Sequence, residues 1–208
     1  MYRPPAFRED RPEVLRDAIR SHPLATLVSH GAEGLQANLL PFTLATSGAG
    51  GDVLRGHLAK ANGQLRDLAS GSEALVIFQG PQAYISPSWY ATKREHGKVV
   101  PTWNYVVVQA RGNPKLIDDA AWLLAHVQEL TTQQEEEQKE PWAVTDAPSS
   151  FVSSLLKGII GIEIPVRLIE GKWKVSQNQP AANRDGVVEG LREHDPSSMM
   201  AKIVSEVP

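Results

Sequence analysis

Apolar residues recur along this chain in two periods, and the changes of period mark its elements. Val14, Leu15, Ala18 and Ile19 fall on one helical face, with Asp10 and Glu13 placed to cap, Pro12 in the first turn, and His22-Pro23 ending the run. Residues 24–29 read as a buried strand, 30–34 as its turn, and 35–46 as a longer return strand interrupted at Pro41. A Gly-rich turn over 47–52 precedes a strand over 53–57, and a short helix is expected over 62–69. Residues 74–78 form a continuous apolar strand, Gln79-Gly80-Pro81 a turn, and 82–86 another strand that breaks at Pro87.

A polar loop over 86–102 leads into a strand over 103–111 with Val106-Val107-Val108 at its centre. Residues 118–130 read as a helix, and the polar stretch 131–148, with Glu135-Glu136-Glu137, as a connector between barrel segments. An apolar helix follows over 151–157. Two strands, 161–170 and 172–176, are expected to join as a hairpin at Glu170-Gly171, before a C-terminal helical region over 184–208. Six or seven strands, with helices inserted between them rather than alternating with them, predict an α+β fold on an antiparallel barrel, as one domain over 1–208.

Composition narrows the chemistry. Lys and Arg number 21 against 24 Asp and Glu, a net charge of −3 that gives direct DNA binding weak support. The absence of cysteine excludes disulfides, thiolate metal sites and cysteine nucleophiles. No apolar run approaches the roughly 20 residues of a membrane span and the N-terminus does not open a signal peptide, so the expected location is cytoplasmic. No phosphate-binding glycine loop or nucleophile elbow is present. His22, His30, His126 and His194 read as scattered surface or helix-end residues without metal spacing.

Three constellations remain. Gly56-His57-Leu58-Ala59-Lys60-Ala61-Asn62 runs from a strand into a helix start, where free amides, Lys60 and His57 suit a phosphate and Asn62 a cap or ligand contact. An ordinary turn with a solvated lysine explains the same residues. Between 84 and 105, two Trp and three Tyr stand with small hydroxyls and Lys93 and Lys98, a composition suited to a flat conjugated ligand. Trp89 as a loop pin and Trp103 and Tyr105 as strand packing are the structural alternatives. Lys172 and Lys174 alternate with Trp173 and Val175 as on a solvated edge strand, with Gln177 and Asn178 at its end.

Together the strings GHLAKAN, VIFQGPQAYISPSWY, GKVVPTWNYVVV, GIEIPV and EGKWKVSQN closely resemble the PaiB family of FMN-binding negative transcriptional regulators, from Met1 to about Leu191. The resemblance implies an FMN-binding split β-barrel similar to pyridoxamine 5′-phosphate oxidase, and a homodimer. It also implies FMN contacts among His57, Lys60, Asn62, Ser86, Trp89, Lys93, Trp103, Asn104, Lys174, Gln177 and Asn178. Gly63 stands where relatives carry proline. The function it implies is negative regulation of transcription. The alternatives are a split-barrel flavin oxidoreductase that does not touch DNA and, last, a haem-binding variant with His57 or another histidine on iron.

Overall fold

A computed structural model describes residues 1–47 and 51–207, so half of the turn expected over 47–52, residues 48–50, lies outside the described residues. The chain forms two compact units, one of residues 1–18, 79–108 and 170–208, the other of 19–78 and 109–169.

In the second unit, β2 (Leu24–Gly31) and β3 (Gly34–Pro41) form a hairpin in register from Leu24↔Pro41 to Gly31↔Gly34. The other edge of β2 pairs with β6 (Ala74–Ile85), Thr26 facing Ile77. The return strand expected over 35–46 is two strands: β3 ends at Pro41, and β4 (Thr43–Ser47) joins β5 (Gly51–Ala59) in a separate sheet. Between them Phe42 is buried, donates its amide to Pro23 O and meets Phe78 edge to face, so the crossing of sheets is itself a core contact. β5 pairs along its length with β9 (Ile159–Pro165), and β9 with β8 (Lys115–Ile117), a short strand that no sequence pattern announced. Leu27, Leu54, Ile162 and Ile164 are fully buried between these strands and their covering helices.

α2 (Leu65–Ala69) is shorter than expected, because Asn62 and Gly63 close turns instead. α4 (Ala120–Glu135) begins where the Asp119 carboxylate accepts from Trp122 N at 2.7 Å, and it continues into the stretch read as a connector. The remainder of that stretch is tied back by Trp142 N donating to the Glu135 carboxylate, ahead of α5 (Ser149–Leu156).

In the first unit, β1 (Arg8–Glu9), β10 (Leu168–Lys174), β7 (Thr102–Gly112) and β6 are neighbours in that order. α1 (Pro12–Ser21) follows β1. The Asp10 carboxylate, expected as its cap, is taken by Arg3. Two expectations are corrected here. Gln79-Gly80-Pro81 is no turn: β6 runs straight through it, with burial shifting by one residue, from Ala74, Val76 and Phe78 to Ile85. Glu170-Gly171 is no hairpin bend either: Gly171 lies inside β10 opposite Glu9, and the link to β9 is Val166-Arg167. α6 (Ala181–His194) and α7 (Met199–Ser205) bury Val187, Leu191, Met200 and Val204 against Ile85, Tyr90, Val106 and Val175.

Candidate functional site

The phosphate-type turn lies in the second unit at the end of β5. Its amides are largely used: Lys60 N donates to Gly158 O, Asn62 N to Ala59 O, Leu65 N to Asn62 O and Arg66 N to Gly63 O. Asn62 Oδ1 accepts from Gln64 N at 3.0 Å, a side-chain turn that holds the bend. The Lys60 ammonium is exposed and pairs with Asp118 at 2.7 Å. A solvent-exposed pair of this kind is worth about 0–1 kcal/mol, so Lys60 can exchange this partner for a phosphate at small cost. The His57 ring turns elsewhere. Its Nδ1 meets His126 Nε2 at 3.1 Å, and burial lowers its pKa. His126, expected at the surface, is buried at mid-helix in α4, because the face of β5 bearing His57 is covered by that helix.

The other eight candidates lie in the first unit. Ser86 Oγ accepts from Ser88 N, and Lys93 Nζ donates to Ser88 Oγ at 3.1 Å, so both fasten the turn carrying Trp89. The Trp89 indole packs on α6, edge to face with His194, over Gly186 and Gly190; a Cβ on Gly190 would come within 2.4 Å of that ring. Trp103 is 54% exposed and stands edge to face with Tyr84, an open aromatic surface.

On the opposite face of β7, Asn104 is buried and donates to Ser176 Oγ at 2.9 Å. Lys174 donates to Trp103 O and to Thr102 Oγ1. Burial, then the charge of Lys172, lowers the Lys174 pKa. Gln177 closes a local turn, accepting from Val175 N and donating to Trp173 O, beside Ser176 in a left-handed conformation at φ 63°. A cleft of about 160 Å³ is lined by Thr102, Asn104, Lys174, Asn178 and the buried Tyr90, whose hydroxyl pKa burial raises.

β10 is not the edge strand that alternation suggested, since β1 flanks it; Lys172 is consequently buried, its ammonium over the rings of Tyr2 and Tyr105. Among the described residues neither Lys172 nor Lys174 has a carboxylate partner. Sequence reasoning set Lys174 among the cofactor contacts, read Lys172 as part of a solvated edge strand, and left Thr102 and Tyr90 out of the contact set. The two-residue spacing of the lysines was the available signal, because residues i and i+2 share a strand face.

Residues 1–168 match the family described as "Putative FMN-binding domain". An uncharacterized protein of Emericella nidulans is 35% identical over 243 positions, 99% of this chain and 97% of that one. The Bacillus subtilis protein called "Protease synthase and sporulation protein PAI 2" is 31% identical over 209 positions, again 99% and 97%. A conserved hypothetical protein from Mycobacterium tuberculosis of solved structure matches with a TM-score of 0.61 at 9% identity, covering 86% of this chain and 94% of that one. The fold is an α+β antiparallel split β-barrel with peripheral helices. The chain belongs to the FMN-binding PaiB family, and FMN is its cofactor.

The residues fit that cofactor in kind. Lys174 brings a cation with no carboxylate of its own to a cleft edged by amides and hydroxyls, as the polar rim of an anionic planar ligand requires, whereas the Trp103–Tyr84 aromatic surface lies on the other face of β7 and does not line that cleft. Lys60, in the second unit, is an exposed cation whose pairing with Asp118 is readily exchanged. Bound FMN would supply electron transfer; Lys174 would hold positive charge beside it, and Asn104 and Gln177 keep the strand end in shape.

Proposed function

We propose that the protein is an FMN-binding negative regulator of gene expression whose signal is the state of its flavin, passed on through protein contacts rather than by reading DNA. The observation carrying this reading is the surface of α6, where Arg184 and Arg192 stand among Asp185, Glu189 and Glu193, so no basic face forms. The Bacillus relative is named as a protease synthase and sporulation protein, and it is the sporulation part of that name that the regulatory reading takes up. The protein acts as a homodimer in the cytoplasm. Among the described residues no helix is long and apolar enough to cross a membrane.

Lys174 favours a second reading, a flavin oxidoreductase, because an unneutralised cation beside a flavin stabilises its reduced anion. Purified protein loaded with FMN is expected to retain a near-stoichiometric flavin absorption band and to sediment as a dimer. It is expected to give no salt-sensitive, sequence-selective mobility shift with promoter DNA. A selective shift would overturn the partner-mediated mechanism, and steady oxidation of a reduced nicotinamide would favour the enzyme. Failure to hold FMN would remove both.

A further inference from the structure

Under α4 and α5 the second unit contains a cavity of about 380 Å³, within the range of small-molecule sites. Its wall includes Val127, Leu156 and Ile159, its rim the exposed Trp142, Phe151 and Leu155, and among the described residues its polar side-chain groups are those of Thr131 and His57 and the Trp142 indole N–H. No charged residue lines it, so an ionic ligand would enter without a counter-ion, at high desolvation cost.

The hydrogen bonding of His57 fixes what the cavity offers a ligand. His126 stacks on Trp122, ring centroids 5.2 Å apart, and Trp122 Nε1 donates to the Glu163 carboxylate, which also receives Arg55. Gly161 admits this stack, since a Cβ there would stand 2.2 Å from the indole. So placed, His126 has a buried Nδ1 with no partner. A buried N–H without an acceptor is rarer and costlier than a bare lone pair, so the network assigns the His126 proton to Nε2. Nε2–H then donates to His57 Nδ1, and His57 carries its own proton on Nε2 as a donor.

We infer that this cavity binds an uncharged, largely apolar small molecule of about two fused rings bearing one carbonyl, which accepts a hydrogen bond from His57 Nε2–H. Thr131 is a second polar contact at the wall, and the Trp142 indole lies against the ligand.

Equilibrium dialysis of the full chain, with and without FMN, against 2-acetylnaphthalene and against 2-ethylnaphthalene tests this. The ketone should bind saturably, one per chain, about three- to tenfold more tightly than the hydrocarbon, the discrimination one neutral hydrogen bond gives. His57→Phe should bring the two affinities together while the hydrocarbon still binds. Leu155→Arg, at an exposed rim position, should abolish binding of both and leave FMN retention and circular dichroism unchanged. The inference is overturned by absent or non-saturable ketone binding, by an undiminished preference in His57→Phe, by unchanged binding in Leu155→Arg, or by competitive displacement of the ketone by FMN.

Discussion

One residue in the first unit, Gly186, is glycine for a reason that a substitution would expose. A Cβ on Gly186 would stand 2.0 Å from the Trp89 carbonyl oxygen, a backbone atom with no rotamer to give way. Alanine is favoured over glycine in a helix interior by about 0.8–1 kcal/mol, but forced overpacking costs about 1–3 kcal/mol and wins here. Gly186→Ala should therefore lower the midpoint of urea unfolding. Gly63→Ala, where the nearest atom is an Arg66 side-chain nitrogen at 3.6 Å, should change it little. Equal effects would remove the Trp89 contact as the cause. Lys60 makes the opposite sort of prediction, on ligand rather than fold. A charge-assisted phosphate contact is worth about 1.5–3 kcal/mol, more than the exposed bond to Asp118 that it would replace. Lys60→Ala should thus weaken FMN selectively over riboflavin, which lacks the phosphate. Parallel losses for both ligands would take Lys60 out of phosphate binding.

Among the elements, α2 depends on one side chain more than on its own length. Five residues cannot hold a helix in water alone, and Gln64, fully buried at its start, ties it to the β2–β3 hairpin. Gln64 Nε2 donates to Leu27 O and Ser29 Oγ, and Oε1 accepts from Asn38 Nδ2 at 2.8 Å. Gln64→Leu keeps the volume but strands these partners, at about 1–3 kcal/mol for each buried group left unpaired. Amide exchange over residues 65–69 should accelerate well beyond that of β5, and unchanged protection there would refute the tie.

The same elements show how far the sequence could be read. Helical periodicity placed α1, α4, α5 and α6 within a few residues, because that signal is local. The division at Phe42 and the passage of β6 through Gly80-Pro81 were not legible, since Pro41 and Pro81 look alike as interruptions and only pairing partners distinguish a change of sheet from a continued strand. The sequence motifs exposed Lys60 and Lys174 by residue type. The burial of Lys172 depended on β1 flanking β10, and that of His126 on α4 packing against β5, contacts made across long stretches of chain.

Across the whole molecule, the buried imidazole pair sets a dependence of stability on acid. Burial, then His57 and Arg55, pushes the His126 pKa down to about 4 from 6.5, and burial lowers His57 as well. An unfolded chain takes up these protons near pH 6.5 while the folded protein refuses them, so the unfolded state binds more protons in the interval and stability falls as pH falls. The stability is fully present above pH 6.5 and is lost progressively towards pH 4. Urea midpoints across this window should fall, and His126→Phe should flatten the decline. An identical slope in the variant would assign it to other groups.

β1 consists of two residues near the N-terminus, and its partner Lys172 lies close to the other end of the chain. At roughly 5–20 residues per second on the ribosome, the opening segment waits on the order of ten seconds or more for that partner to be synthesised. Through that interval the first unit lacks β10, while the β2–β3 hairpin and β6 of the second have already emerged. The nascent chain therefore carries Arg8–Glu9 as an unpaired segment. A protease-accessible site placed there should be cut on stalled ribosomes and resist cutting after release.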